Sequence, residues 1–169
     1  NEVICVDIDE SKIRQRKSVI IPIYEPGLEE LVAKNRKSGR LAFSTDLKTA
    51  IKDSEIIFIC VGTPPKETGE ADLSHVENVA RAIAEAMDSY KVIVEKSTVP
   101  VETGEQVAKS IRSYNIHKVD FDVVSNPEFL REGSAVNDFM HTDRVVIGCG
   151  NERAKQAMKK LYEPLNVPI

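Results

Sequence analysis

The sequence has only three cysteines, and their number and spacing exclude two kinds of scaffold. Cys5, Cys60 and Cys149 are odd in number, far apart, and lie in or beside apolar runs. A disulfide framework needs paired cysteines, and a zinc site needs closely spaced cysteine or histidine ligands. We therefore expect three small buried thiols in a reducing compartment.

Clustered histidines, basic stripes and long apolar segments are also missing. His75, His117 and His141 are scattered, so we predict neither a metal site nor a histidine-based catalytic triad. The net charge is −4 without a basic stripe, so no nucleic-acid partner is expected. The lack of a signal peptide, a lipidation motif or a long apolar span predicts a cytoplasmic protein without a membrane partner.

What the sequence does contain is an alternation of two patterns. Of its 169 residues, 41% are apolar and 30% charged, as in an ordinary globular domain. Runs that predict strands occupy residues 3–7, 41–44, 55–61, 91–96, 121–124 and 144–148. Between them lie segments with helical periodicity, such as 74–87, where Ser74 and Glu77 form a predicted capping box. This alternation predicts an α/β fold with a doubly wound, mostly parallel sheet of Rossmann type.

Polar residues that follow these strands are the first functional candidates, because α/β sheets place their chemistry beyond the carboxyl ends of strands. Asp7 ends the first strand, where a dinucleotide-binding unit has an acid that accepts hydrogen bonds from the adenosine ribose. The alternative is an acid that belongs to a helix cap, since Asp9 or Ser11 can open the next helix. Gly62 lets a ligand approach the backbone, or else serves only a turn.

Ser97 and Thr98 follow another predicted strand. Their hydroxyls can hold a water molecule or a carboxamide at the edge of the sheet. They can equally cap the helix that starts near Pro100. The residue pattern alone leaves both possibilities open.

The run from Ser125 to Ser134 carries two carboxylates four residues apart. If it forms a helical turn, Glu128 and Glu132 share one face, and repulsion between them raises the pKa of one. A site obtains an acid and a base from identical groups in this way. Arg131 offers a fork for a carboxylate or phosphate oxygen, and the alternative is a structural ion pair in a surface turn.

Six segments, taken together and in this order, resemble the nucleotide-sugar 6-dehydrogenases. They are Val6-Asp7, Pro22-Ile23-Tyr24-Glu25-Pro26-Gly27-Leu28, Val61-Gly62-Thr63-Pro64, Ala71-Asp72-Leu73, Lys96-Ser97-Thr98-Val99-Pro100 and Asn126-Pro127-Glu128-Phe129-Leu130-Arg131-Glu132-Gly133. The resemblance implies NAD-dependent oxidation of UDP-glucose at C6 to UDP-glucuronate, by two hydride transfers and through a thioester. The alternatives are oxidation of GDP-mannose and a non-catalytic nucleotide-binding module.

The resemblance also implies roles for individual residues. Asp7 is expected to hold the adenosine ribose, with Lys12 nearby and a preference for NAD over NADP. The residues expected to line NAD are Val61, Gly62, Thr63, Pro64, Ser97, Thr98 and Glu132. Those expected to contact the sugar nucleotide are Glu128, Phe129, Leu130, Arg131 and Glu132. In catalysis, Glu128 is the expected general base for thioester hydrolysis, Thr98 helps to place the water, and Glu132 lies between cofactor and substrate.

Two parts of the family pattern are not found in the sequence. One is the glycine-rich phosphate turn on the first strand, expected between the strands that end at Asp7 and Val61 in the order 3-2-1-4-5-6. The other is the second half, which holds the catalytic cysteine with its lysine and asparagine. We therefore expect residues 1–169 to form a partial NAD-binding domain, without the central helix and the substrate-binding domain. This piece is expected to be inactive alone, and the full-length protein to form a homodimer or larger assembly.

Overall fold

The structure is a computed structural model that describes residues 1–21, 23–100 and 102–169. Pro22, the first residue of one of the six segments, lies outside the described residues. The strands are β1 (Val3–Val6), β2 (Leu41–Ser44), β3 (Ile56–Ile59), β4 (Lys91–Glu95) and β5 (Phe121–Ser125). The helices are α1 (Glu10–Lys17), α2 (Leu28–Lys37), α3 (Leu47–Asp53), α4 (Ser74–Ala86), α5 (Thr103–Tyr114), α6 (Ala135–Met140) and α7 (Glu152–Tyr162). A 3₁₀ turn, Glu163–Leu165, follows α7.

All strand pairs are parallel, which confirms the predicted α/β fold, but the strands form two sheets. One sheet pairs β1 with β2, and the other has the order β3-β4-β5. The predicted order placed an additional strand between the strand that ends at Asp7 and the one that ends at Val61. These two strands, β1 and β3, belong to different sheets.

The chain divides into two compact units. The smaller unit consists of Asn1–Ala50 and Phe129–Thr142, and the larger unit of Ile51–Glu128 and Asp143–Ile169. All five residues of β4 are buried at the centre of the larger unit's sheet. Helices α4, α5 and α7 contribute buried residues at helical spacing: Val76, Ala80, Ile83, Val107, Ile111, Ala154 and Met158. This core fixes the carboxyl ends of β3, β4 and β5, where most of the predicted site residues lie.

The predicted strand at 144–148 is not a strand. Its backbone makes a single antiparallel bridge, in which Ser125 and Gly148 exchange two hydrogen bonds of 2.8 Å. Another bond runs from the N–H of Val145 to the carbonyl of Pro168. Val145 and Ile147 pack against the core cluster of β4, β5 and α7. The apolar pattern of this segment therefore reflects packing without a sheet ladder.

Two smaller predictions were also wrong. Ser74 does not cap α4, because the helix already starts at this residue and the Oδ1 atom of Asp72 accepts the Ser74 N–H at 3.0 Å. Cys5 and Cys60 are exposed rather than buried, since β1 is largely exposed and Cys60 lies just past the end of β3. Within the described ranges, no helix has both the length and the apolar character needed to cross a membrane.

Candidate functional site

The start of α1 shows which acid caps this helix. Asp9 is the N-cap of this helix, and its Oδ1 atom accepts the N–H groups of Ser11 at 2.8 Å and Lys12 at 3.2 Å. A hydrogen bond from the Ser11 hydroxyl, together with these two backbone hydrogen bonds, lowers the pKa of Asp9. Asp9 thus performs the capping, as the alternative expected, and the ribose role of Asp7 stays a prediction.

The Asp7 carboxylate lies just past β1 and keeps part of its surface open. Its Oδ1 atom accepts the Asp9 N–H at 2.9 Å, and its Oδ2 atom is 3.7 Å from the Lys12 ammonium. The Asp7 side chain is 38% exposed. A carboxylate accepts about four hydrogen bonds, so Asp7 retains acceptor capacity for a pair of ribose hydroxyls.

In the larger unit, Ser97 joins the ends of β3 and β4. Its Oγ atom accepts the Val61 N–H at 3.1 Å and donates to the Ile59 carbonyl at 3.3 Å. The Thr63 hydroxyl donates to the Thr98 carbonyl at 2.8 Å. Helix α5 has Glu102 as its N-cap, so neither Ser97 nor Thr98 caps it. The capping alternative is therefore wrong, and the structure brings Val61, Thr63, Ser97 and Thr98 together.

Gly62 lies between two of these residues, and its backbone does not explain why glycine is there. Its φ is outside the left-handed region, and an added Cβ would meet no described atom within 4 Å. The described residues therefore leave room for a side chain at this position, and the close approach of a ligand to Gly62 stays a prediction.

The buried Asn126 amide fixes the start of the loop that carries Glu128. Its Nδ2 atom donates to the Val146 carbonyl at 2.8 Å, and its Oδ1 atom accepts from the Tyr162 hydroxyl and, at 3.5 Å, from the Lys96 ammonium. Its backbone N–H donates to the Glu95 carbonyl at 2.9 Å. The sequence analysis gave Asn126 no role, because its partners lie 20 to 36 residues away.

Burial and nearby charges shift the pKa values of Glu95 and Lys96 at the end of β4. Burial lowers the pKa of Lys96, and electrostatic interactions with Cys60 and Glu128 oppose this shift. Burial also raises the pKa of Glu95, whose Oε1 atom accepts the Ser97 N–H at 2.8 Å. The exposed Glu128 carboxylate therefore lies within electrostatic range of a half-buried ammonium group.

The predicted helical turn that would put Glu128 and Glu132 on one face does not form. Residues 126–131 have no regular secondary structure, a turn occupies 132–134, and α6 starts at Ala135. Gly133 has a φ of 83°, in the left-handed region that glycine enters without strain. The prediction failed because side-chain contacts to this loop replace helical hydrogen bonds.

Asp138 on α6 makes one set of these contacts. Its carboxylate accepts from the Nε and Nη2 atoms of Arg131 at 3.0 and 2.7 Å, and from the Arg131 N–H at 3.1 Å. The Ser134 hydroxyl donates to the same carboxylate at 3.0 Å. Arg131 lowers the pKa of Asp138. The structural ion pair is thus present, and a substrate contact by Arg131, whose side chain is 78% exposed, stays a prediction.

Glu25 makes the other set, and the sequence analysis missed it. Its Oε1 atom accepts the Gly133 N–H at 2.6 Å, and its Oε2 atom accepts the Ala135 N–H at 2.9 Å. Sequence separations of 108 and 110 residues leave no local signal for this contact. In the same unit, Phe129 and Leu130 expose 57% and 36% of their surface.

Comparison with known families gives matches over nearly the whole chain. The family model for the UDP-glucose/GDP-mannose dehydrogenase family, NAD binding domain, matches residues 1–166. The UDP-glucose 6-dehydrogenase TuaD of Bacillus subtilis is 52% identical over 169 residues, which are 100% of this chain and 37% of that protein. The UDP-glucose 6-dehydrogenase of Rhizobium meliloti is 52% identical over 98% of this chain and 38% of its own length. The chain thus spans well under half the length of both relatives.

Solved structures give the same result. A UDP-glucose dehydrogenase from Pyrobaculum islandicum superimposes with a TM-score of 0.95 at 41% identity, over 99% of this chain and 40% of that chain. A GDP-mannose dehydrogenase from Pseudomonas aeruginosa, solved as a ternary complex, has a TM-score of 0.94 at 39% identity. It is matched over 100% of this chain and 40% of its own length.

Proposed function

Because the chain belongs to the UDP-glucose/GDP-mannose dehydrogenase family as its NAD-binding domain, we propose that it serves an enzyme that oxidises UDP-glucose at C6 to UDP-glucuronate. NAD is the cofactor of this domain. The observation that carries the proposal is the set of contacts that joins Val61, Thr63, Ser97 and Thr98 where β3 and β4 end. A dinucleotide binds at this edge of a doubly wound sheet.

The residues of this chain fit NAD, which accepts a hydride from the substrate when bound. Asp7 accepts hydrogen bonds from the adenosine ribose, and the nearby Lys12 holds its carboxylate in place. The same carboxylate repels the 2′-phosphate of NADP, which favours NAD. Val61, Gly62, Thr63, Pro64, Ser97 and Thr98 line the cofactor. The open space at Gly62 supports this placement.

The residues proposed to act on the substrate are the consecutive residues 128–132, together with Thr98. Phe129, Leu130, Arg131 and Glu132 contact the sugar nucleotide, and Glu132 lies between it and the cofactor. Glu128 is the general base for hydrolysis of the thioester, and Thr98 helps to place the attacking water. The exposed carboxylate of Glu128 and its interaction with Lys96 support its role as a base.

The proposal extends to the whole protein. We propose a cytoplasmic enzyme that assembles as a homodimer or a larger oligomer, with the catalytic cysteine outside residues 1–169. GDP-mannose is the second candidate substrate, and the match to the GDP-mannose dehydrogenase structure is the observation that favours it.

The test is steady-state NADH formation by the full-length product of the gene that encodes this chain. We expect two NADH per UDP-glucose, and no steady turnover by residues 1–169 alone. A Glu128→Gln variant should release a burst of NADH and then slow by about 100-fold, because only thioester hydrolysis needs the base. A Glu67→Gln variant, at an exposed loop position, is the control.

Three outcomes would contradict parts of this proposal. Turnover of GDP-mannose alone would replace the substrate. NAD binding without turnover of either sugar would identify a non-catalytic module. Steady turnover by the 169-residue chain would refute the assignment to a partial domain.

A further inference from the structure

The loop at residues 23–27 has no role in the function proposed above, although its Glu25 contacts a segment with a proposed role. We call residues 129–134 the substrate loop, and the two hydrogen bonds of the Glu25 carboxylate to Gly133 and Ala135 the Glu25 clamp. We infer that Glu25 is a positioning residue, whose clamp holds the substrate loop in the conformation that receives the sugar nucleotide. The inference rests on the proposed function, because the substrate contact of this loop is part of that proposal.

In the Glu25 clamp, one carboxylate binds two backbone N–H groups. One oxygen of Glu25 accepts the Gly133 N–H at 2.6 Å, and the other accepts the Ala135 N–H at 2.9 Å. Hydrogen bonds to a charged acceptor are shorter and stronger than neutral ones. Two such bonds from one carboxylate fix both the distance and the orientation of the backbone that they hold. The clamp therefore restrains the substrate loop at its carboxyl end.

The backbone on which Glu25 lies is itself held by hydrogen bonds. The Glu25 carbonyl accepts the Leu28 N–H at 3.1 Å, and the Gly27 carbonyl accepts the Leu31 N–H at 3.1 Å. Gly27 has a φ of 80° and is the N-cap of α2. Glu25 thus projects from a tight turn that is continuous with a helix of 10 residues.

The clamp also provides acceptors for two backbone N–H groups near the start of α6. The first N–H groups of a helix have no acceptor within it, and Ala135 is the first residue of α6, while Gly133 lies one residue before its N-cap, Ser134. Asp138 holds Arg131 and Ser134 in the same loop. Two carboxylates together thus order the substrate loop before a ligand arrives. Ordering in advance removes an entropic cost from binding, so its loss should weaken substrate affinity.

The first experiment measures kinetics of the full-length protein with a Glu25→Gln variant. Glutamine keeps one acceptor oxygen and places an NH₂ group against the other N–H, so one bond is lost and a repulsion is added. We expect KM for UDP-glucose to rise by about 10-fold, with KM for NAD unchanged and kcat changed by less than about two-fold. Glu30→Gln, an exposed carboxylate in the first turn of α2, is the matched control and should leave all three constants unchanged.

The second experiment measures hydrogen exchange, which needs no substrate. Peptides that span residues 129–140 should exchange faster in Glu25→Gln than in the wild type and in Glu30→Gln, because Gly133 and Ala135 lose protection. Equal exchange in all three proteins would overturn the clamp. A fall in kcat with KM unchanged would overturn the positioning role, even if exchange becomes faster.

The two proposals can fail separately. If the wild type turns over neither sugar nucleotide, the proposed function fails, while hydrogen exchange still decides whether Glu25 holds the loop. If the wild type is active and Glu25→Gln has wild-type constants, the proposed function stands and the positioning role is refuted.

Discussion

Replacement of Asn126 by alanine tests how the loop that carries Glu128 is held. The change removes a 2.8 Å hydrogen bond to the Val146 carbonyl and the acceptor of the Tyr162 hydroxyl. The first loss costs about 1 kcal/mol, and the loss of an acceptor for the buried Tyr162 hydroxyl costs about 2 kcal/mol more. The bond to Lys96 is long, at 3.5 Å, and contributes little. We therefore expect the free energy of unfolding to fall by about 3 kcal/mol.

The assay is thermal unfolding of the full-length protein, followed by circular dichroism. A loss of about 3 kcal/mol corresponds to a fall in Tm of about 6–12 °C for a domain of this size. Asn78→Ala is the control, because Asn78 is exposed on α4 and alanine favours a helix. Its Tm should stay within about 2 °C of the wild type.

One result would refute the reasoning. If Asn126→Ala unfolds within about 2 °C of the wild type, the three partners of the amide do not depend on it. The buried amide would then be a packing group, and the position of Glu128 would need another explanation.

Two further predictions concern charge. Asp7→Asn should lower the preference for NAD over NADP by about 10-fold in kcat/KM, because the repelling charge is removed. Asp9→Asn, which preserves a good N-cap, is its control, and an unchanged ratio in Asp7→Asn would contradict the ribose role. Burial raises the pKa of Glu95 in the folded protein. Ionisation of Glu95 therefore destabilises the folded protein as the pH rises above about 4.3, the pKa of a glutamate in the unfolded chain. Glu95→Gln, which keeps an acceptor for the Ser97 N–H, should therefore gain more Tm at pH 8 than at pH 4, and a gain independent of pH would refute this.

The larger unit was the easiest part to predict from the sequence. Its strands are continuous apolar runs, and α4, α5 and α7 have apolar residues at helical spacing, so each pattern has one local interpretation. The segment at 144–148 has the same pattern, but within the described residues its only β-type pairing is a single bridge to Ser125. An apolar pattern thus predicts packing against the core, as Val145 and Ile147 show, and does not by itself predict a ladder of hydrogen bonds.

The site was predicted as a set of residues but not as a set of contacts. Asp7, Ser97 and Thr98 could be placed at strand ends, and the structure excludes the capping role for Ser97 and Thr98, while Asp9 does cap α1. The Glu25 clamp and the Asn126 amide could not be found in this way, because both depend on residues brought close only by folding. The Arg131 fork was identified correctly, but its acceptor in the structure is Asp138, seven residues further along.

If the proposed function holds, the Glu25 clamp also affects how the substrate range could be engineered. A designer who wants another sugar accepted would exchange residues 129–134 with those of a relative. The transplanted segment would then have to bind the Glu25 carboxylate, which fits the backbone of the original segment and lies 108 residues earlier in the sequence than Gly133. The two loops therefore form one exchangeable cassette, and grafts that carry residues 23–27 along with 129–134 should succeed where single-loop grafts fail.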